Sequence, residues 1–400
     1  MPLRPYQQDC LDKLLWARNS CVGNNLVSLA QGAGKSHIIA AYAEAIKEPV
    51  LILQPSRELV EQNVDKMKAI VDKKDIGVFS ASLQLKEIKK FTFATIGSVY
   101  KHPEMFVHFK NVILDECHML NVKRQKSMLV SFLSDIGDPH VVGLTATPYR
   151  QVQQAIRHNE YWIESITMTK MINRMLPKFW ERLLYTISTQ ELIDLGFLVP
   201  LTYIDKTIIK HENIPTNKSK SDFDLTKYEQ MIKDKDEDLV YALEKAQGYF
   251  RSTLVFCSSV EQAERLSGQL KQSEVVTGTT PAKQRKAIVA NFKKGHLKTV
   301  FNVGCLTTGF DHPGLDLIVL LRPTRSIGLY LQMLGRGSRI CPDLNKKTCA
   351  VLDFTDTVKQ LGQIETFKVT KVDGKWDIVS DKGPWHGKPL YKFMIESHGR

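Results

Sequence analysis

The chain has 400 residues, enough for two α/β domains of ordinary size, each with its own core. Lysine and arginine number 55 against 43 aspartate and glutamate, a net charge of +12, which suits a polyanionic partner such as nucleic acid. The 7 cysteines are scattered, with no Cys-x-x-Cys pair and no histidine cluster at metal-ligand spacing, so they read as reduced thiols and argue against a zinc site. The opening Met1–Gln7 has no apolar signal core and no stretch is long enough to span a bilayer, so a soluble protein inside the cell, away from membranes, is expected.

In chain order, the first chemical feature is Leu26–Ile39. A short apolar run breaks into glycines, reaches Lys35 and Ser36, and resumes with helical spacing. That pattern predicts a strand, a phosphate loop and a helix N-terminus. Gly32 and Gly34, on either side of Ala33, let backbone N–H groups approach phosphate oxygens with no Cβ in the way. The helix dipole adds positive potential. Lys35 would reach the β- and γ-phosphates of a nucleotide, and the Ser36 hydroxyl would take a place on Mg²⁺. Leu29 stands where the pattern G-x-x-x-x-G-K-[ST] has its first glycine.

Strands are predicted next at Val50–Gln54, Gly77–Phe79, Phe91–Ala94, Val112–Asp115 and Val141–Leu144, with helices at Arg57–Val71 and Lys123–Asp135 between them. Short apolar strands alternating with helices imply a parallel sheet covered on both faces, with its ligand at the strands' carboxyl ends. Ala30–Ser36, Asp115–Glu116 and Thr145–Thr147 each follow a predicted strand, so all three can converge on one edge. Asp115 is then placed to hold Mg²⁺ through water, and Glu116 to polarise the water that attacks a γ-phosphate.

The segment from Tyr149 to about Phe197 breaks the rhythm and reads as a helical connector with irregular joins. Asn217–Asp222 is predicted as a mobile loop, and the charge run Lys233–Asp238 as a solvated helix start. A second alternating block follows, with strands at Leu201–Ile204, Thr253–Cys257, Glu274–Thr277, Thr299–Val303, Leu317–Leu321 and Ala350–Phe354, and helices at Val260–Leu270, Pro281–Phe292 and Ile327–Leu334. Gln332, Arg336 and Arg339 are spaced by four and three, one face of a helix and its end. Two arginines aimed at a γ-phosphate from another domain would neutralise charge only when the domains close, and can accelerate hydrolysis by roughly 10³–10⁵. Thr366–Val379 alternates around Asp373-Gly374, a hairpin turn signal. The expected organisation is a first α/β domain over 1–150, a helical connector over 151–197, a second α/β domain over 198–362 and a hairpin extension over 363–400.

Together these segments resemble the motifs of the superfamily-2 helicases, in the DExH group, across nearly the whole chain. Motif I is similar to Leu29–Ser36, Ia to Gln54–Val60, II to Asp115-Glu116-Cys117-His118, III to Thr145-Ala146-Thr147-Pro148, IV to Val255–Ser258, V to Val303–Asp311 and VI to Gln332–Arg339. The resemblance implies two RecA-like domains with parallel sheets in tandem and ATP with Mg²⁺ hydrolysed at their interface, and it tolerates Leu29 in place of glycine. It also implies that Gln7 pairs with adenine with support from Arg4, and that Asp311 meets the ribose. Pro55, Ser56, Arg57, Thr95, Ser258, Thr307 and Thr308 would lie along the nucleic acid, and His118, Thr145 and Thr147 would link the two sites.

Arg4–Gln7, the segment Thr145–Arg150 and Leu192–Pro200 look most like bacterial and phage DNA-repair helicases that act on branched DNA. The implied partner is single-stranded, forked or branched DNA, handled by a monomer in the cytoplasm, or in the host cytoplasm if the chain is phage-encoded. RNA stays open as an alternative, because no residue here marks a 2′-hydroxyl sensor. An ATP-gated nucleic-acid switch and the motor subunit of a restriction complex also stay open. For the C-terminal hairpin, extension of a sheet edge is favoured over a wedge with Trp376 or Trp385 stacked on a base.

Overall fold

The computed structural model describes residues 2–20, 22–119, 127–157, 163–176, 178–305, 310–383, 386–387 and 389, the side chains of 153–157 and 163–167 excepted. The chain divides into two compact units, one of Met1–Arg150, Lys170–Ile187 and Val369–Asp377, the other of Gln151–Thr169, Ser188–Lys368 and Ile378–Arg400.

The strands run, in chain order, β1 (Asn25–Leu29), β2 (Val50–Gln54), β3 (Ile76–Ser80), β4 (Leu85–Lys86), β5 (Phe91–Thr95), β6 (Asn111–Asp115), β7 (His140–Thr145), β8 (Tyr149–Arg157), β9 (Ile163–Met171) and β10 (Arg182–Ile187). The first unit's sheet has the order β10-β1-β7-β6-β2-β5-β3-β4. Its neighbours are parallel, with β4 antiparallel at one edge. Strands β1, β2 and β6 are buried at every position, as a sheet covered on both faces requires. Helices Lys35–Ile46 and Arg57–Met67 each bury one stripe, Ile38, Ile39, Tyr42, Ala43 and Ile46 in the first, Leu59, Val60, Asn63, Val64 and Met67 in the second. Because the strands are parallel, Leu29, Gln54, Thr95, Asp115 and Thr145 all end on the same edge, with Gln54 opposite Thr95 and Asp115 opposite Leu144.

The helical connector expected from Tyr149 to Phe197 is overturned. β8 and β9 form a two-stranded sheet and β10 adds to the main sheet beside β1; among the described residues there, only Thr189–Asp194 is an α-helix. Methionine and glutamine suggest helix in isolation, but Leu183 and Ile187 alternate inward on β10, and pairing with β1 outweighs local propensity. Trp180, just before β10, is buried against Gly143 on β7, where an added Cβ would sit 2.9 Å from Cys117 Sγ as well as against the indole.

In the second unit, β11 (Leu201–Asp205), β12 (Thr253–Phe256), β13 (Ser273–Val276), β14 (Thr299–Asn302), β15 (Leu317–Leu320) and β16 (Cys349–Asp353) form a sheet in the order β11-β16-β15-β12-β14-β13, parallel throughout. Its core includes Leu239, Leu243, Val255, Ala263, Leu266, Phe301 and Val319. The loop Asn217–Asp222, expected to be mobile, is instead tied down. Asn217 Oδ1 accepts from the Ser221 amide, and the Asp222 carboxylate accepts from Thr324 Oγ1 at 2.9 Å and the Arg325 amide at 2.8 Å. The charge run does open a helix, Asp236–Tyr249, and Arg265 clamps Asp236 and Glu229.

The tail forms β17 (Phe367–Val372) and β18 (Lys375–Ser380), a sheet of two strands rather than an extension of a larger one. Asp373 and Gly374 at its turn have φ of 50° and 73°, as a two-residue hairpin turn needs. Asp377 accepts from Arg174 at 2.8 Å and Lys371 lies over the Trp376 ring; Trp385 lies outside the described residues.

Two tests follow from this packing. Gly143→Ala should cost about 1–3 kcal/mol by overpacking Trp180 and Cys117, read as a lower denaturation midpoint; an unchanged midpoint would mean the indole can turn aside. In the second unit, burial pulls His211 and His312 from 6.5 down to about 4, His312 sharing a 2.7 Å hydrogen bond with Ser252 Oγ. The unfolded chain therefore takes up protons first, so these two residues withdraw stability as pH falls from about 6.5 towards 4. His312→Gln should flatten the fall in melting temperature over that range.

Candidate nucleotide site

The loop after β1 turns through two glycines in the left-handed region, Gly32 with φ 83° and Gly34 with φ 80°. A side chain at Gly34 would also put its Cβ 2.6 Å from Gln7 Nε2, so that position is fixed as glycine twice over. The Ala33 carbonyl accepts from Tyr6 OH at 2.8 Å and Gln7 Nε2 at 3.0 Å. Gln7 Oε1 accepts from the Arg4 amide at 3.0 Å, and Arg4 Nη1 donates to Tyr6 OH. Arg4, Gln7, Ala33 and Gly34 are thus brought together, and the Gln7 amide is engaged with the loop itself. Tyr6 was not singled out from sequence, although it lies inside the same tetrapeptide; only the fold shows that its hydroxyl reaches the loop.

Gly34 is the N-cap of helix Lys35–Ile46, which sets Lys35 at the helix start. Lys35 Nζ lies 3.1 Å from Glu116 Oε1, and His118 Nδ1 lies 3.5 Å from Glu116 Oε2. His118 Nδ1 also shares a 2.7 Å hydrogen bond with Thr145 Oγ1, which accepts from the Thr147 amide at 3.0 Å. Lys35, Glu116, His118, Thr145 and Thr147 therefore form one chain across the carboxyl ends of β1, β6 and β7. Burial holds the His118 imidazole below its usual range, against the pull of Glu116. Glu116 has φ 47°, unusual for a non-glycine residue; this turn, just after β6, carries its carboxylate towards Lys35.

Asp115 is buried and oriented by three donors. Its Oδ1 accepts from the Glu116 amide at 2.9 Å, and its Oδ2 from Asn63 Nδ2 at 2.8 Å and Gln54 Nε2 at 3.3 Å. Burial, followed by the neighbouring Glu116, pushes its carboxyl above the usual carboxylate range. Among the described residues no three His, Cys, Asp or Glu side chains gather to hold a metal by themselves. The Ser36 hydroxyl and Asp115 carboxylate are oxygen donors suited to Mg²⁺, which keeps waters and takes substrate phosphate oxygens for its remaining positions. The residues present fit the ion on those terms.

The residues expected along nucleic acid are more dispersed. Ser56 caps helix Arg57–Met67, accepting from the Leu59 amide, and Arg57 reaches the Ser82 carbonyl. Thr95 shares a hydrogen bond with Ser98. Ser258 is buried, with both its amide and its hydroxyl on Gln262 Oε1. Thr307 and Thr308 lie outside the described residues. In the second unit, Gln332 and Arg336 are buried on and just after helix Ile327–Leu334, and Arg336 Nη1 donates to the Phe310 carbonyl at 2.6 Å. Arg339 is paired with Asp311, so in this arrangement the carboxylate expected at a ribose is engaged by the arginine expected at a phosphate. Burial pulls Arg339 down to about 10, which leaves it charged near neutral pH. Among the described residues no helix is long and apolar enough to cross a membrane.

Two family models match the chain, one described as type III restriction enzyme, res subunit, over residues 1–150, the other as helicase conserved C-terminal domain over residues 234–341. A Schizosaccharomyces pombe protein named as a mitochondrial ATP-dependent helicase, irc3, is 26% identical over 378 residues, which is 90% of this chain and 58% of that protein. The chain thus spans little more than half the length of that relative. A fragment of an HsdR subunit of a type I restriction enzyme from Vibrio vulnificus YJ016 is similar in structure with a TM-score of 0.66 at 20% identity, over 89% of this chain and 65% of that one. The helicase Lhr of Mycobacterium smegmatis, bound to ssDNA and AMP-PNP, is similar with a TM-score of 0.56 at 18% identity, over 89% of this chain and 46% of that one. The res-subunit match over residues 1–150, the helicase C-terminal match over residues 234–341 and the helicase relatives together support a superfamily-2 helicase.

Proposed function

We propose that the chain is an ATP-driven DNA motor of the DExH group, remodelling forked or branched DNA as a cytoplasmic monomer. The observation that carries the ATPase part is the chain Lys35–Glu116–His118–Thr145 on the edge where the phosphate loop opens. Lys35 takes the β- and γ-phosphates, which releases Glu116 from its ion pair. Glu116 then accepts a hydrogen bond from the attacking water and orients it on phosphorus. Mg²⁺ held by Ser36 and Asp115 would neutralise charge on the phosphate oxygens. Arg336 and Arg339, aided by Gln332, stabilise the charge developing on the γ-phosphoryl group when the units close on ATP, and their departure after hydrolysis lets the units part. Alternating grip along Pro55–Arg57, Thr95 and Thr307–Thr308 then advances the strand.

The net charge of +12 and the helicase relatives support a nucleic-acid track; the subgroup resemblance favours DNA over RNA. A second reading, the motor part of a restriction complex, is favoured by the res-subunit match and the HsdR likeness. Strand displacement on forked duplex by the purified chain alone supports the first reading, and DNA-stimulated ATPase without displacement supports the second or a non-translocating switch. ATPase stimulation by single-stranded DNA, forked DNA, four-way junctions and RNA at one fixed salt concentration ranks the substrates.

Glu116→Gln should keep nucleotide affinity and lose roughly 10²–10⁴-fold in turnover. Arg339→Ala should behave in the same direction, and Lys35→Ala should weaken nucleotide binding itself. Normal turnover in Glu116→Gln, or unchanged affinity in Lys35→Ala, would sink the assignment.

A further inference from the structure

Asn63 is the one amide in the buried stripe of helix Arg57–Met67, among Leu59, Val60, Val64 and Met67. An apolar residue would serve helix packing better, because a buried amide is costly unless it is bonded. Its Nδ2 finds the Asp115 carboxylate at 2.8 Å, and Gln54, the last residue of β2, gives its Nε2 to the same oxygen. The two amides bracket Pro55–Arg57, one immediately before it and one farther along the helix that Ser56 caps. Among the described residues the other amide oxygen of each, Asn63 Oδ1 and Gln54 Oε1, is buried without a hydrogen-bond partner. Each is therefore a spare acceptor beside Asp115, suited to the waters that Mg²⁺ retains.

We propose that Asn63, together with Gln54, is a positioning residue that ties the nucleic-acid segment Pro55–Arg57 to the metal-binding carboxylate of Asp115, so that strand binding raises ATP turnover through this carboxylate. The inference rests on the nucleotide-site assignment above and adds the route by which the strand acts on it. A shift of Pro55–Arg57 on binding a phosphate moves the end of β2 and the start of the helix together. Both donors to Asp115 Oδ2 move with them, while Oδ1 stays fixed by the Glu116 amide. The carboxylate is thereby rotated rather than released.

The test uses Asn63→Leu, which keeps the helix stripe apolar, and Asn63→Asp, which keeps the shape but sets an oxygen against Asp115. Two readouts are taken on folded protein: the Mg²⁺ concentration that half-saturates binding of a fluorescent ATP analogue, and the ratio of ATP turnover with and without single-stranded DNA. The expected result is a half-saturation raised by roughly 10-fold or more and a stimulation ratio reduced towards one, with Asn63→Asp the more severe. Melting at or above the wild-type temperature in Asn63→Leu, alongside those shifts, separates positioning from general loss of structure. If Asn63→Leu fails to fold, Asn63→Asp is decisive on the same two readouts. An unchanged Mg²⁺ half-saturation, or a wild-type stimulation ratio, in a folded variant overturns the proposal. Failure of the underlying assignment looks different: the wild-type chain would not bind the analogue, or Glu116→Gln would still turn over.

Discussion

The ion pair between Lys35 and Glu116 joins the two halves of the proposed phosphate site, and much of the first unit is arranged to make it. The strands that deliver the two residues are not neighbours, because β7 lies between β1 and β6. Lys35 reaches across from the start of a helix, while Glu116 turns back through a left-handed backbone conformation. Both side chains are largely buried, so each would be costly without the other. The middle strand is also tied in, since His118 bridges Glu116 to Thr145 at the end of β7. Three adjacent strands are therefore linked by side chains at their carboxyl ends, beyond the ladder that links their backbones.

The second unit treats its arginines in a comparable way. Arg336 and Arg339 find their partners in consecutive residues, the Phe310 carbonyl and the Asp311 carboxylate. A guanidinium cannot shed its charge at neutral pH, so burial demands that it stay bonded. Exchanging Asp311 for a phosphate oxygen keeps that demand met, whereas simply leaving Asp311 does not. A pairing of this kind makes the arginine responsive to an incoming anion without leaving it uncompensated beforehand.

The alternation of apolar strands and helices was legible because buried strands leave apolar runs, and twelve of the strand positions could be read from them. The phosphate loop was legible because its glycines serve backbone geometry, which sequence records directly. The strands between Tyr149 and Ile187 were not. Their residues are helix-compatible one by one, and β10 is held by its partner β1, which lies more than 150 positions earlier in the chain. Helix ends were also overrun, as at Arg57–Met67, since Lys68–Val71 continue in turns with similar hydrogen bonding. Gln54 and Asn63 escaped notice for a different reason. Nothing in either residue's own neighbourhood names Asp115; only the order β6-β2 and the docking of one helix bring the three together.

That concentration of buried polar groups limits what can move. Gln7, Gln54, Asn63, Asp115, Glu116, Thr145 and Thr147 are all buried, and each lost partner there would leave a group unsatisfied at a cost of about 1–3 kcal/mol. A shift at the carboxyl ends of β1, β2, β6 and β7 must therefore carry bonded partners along, as Gln54 and Asn63 would carry Asp115 Oδ2. The loop Ala30–Gly34 is tied to the helix Pro5–Asn19 through the Ala33 carbonyl, which accepts from both Tyr6 and Gln7. Gln31, Gly32 and Gly34 keep part of their surface in water, whereas Tyr6, Gln7 and Ala33 are buried, so a shift of the loop must keep or replace the bonds to the Ala33 carbonyl. Under the proposed function, the exposed part of the loop takes up the phosphates while the carboxylates at the end of β6 hold the metal and orient the water.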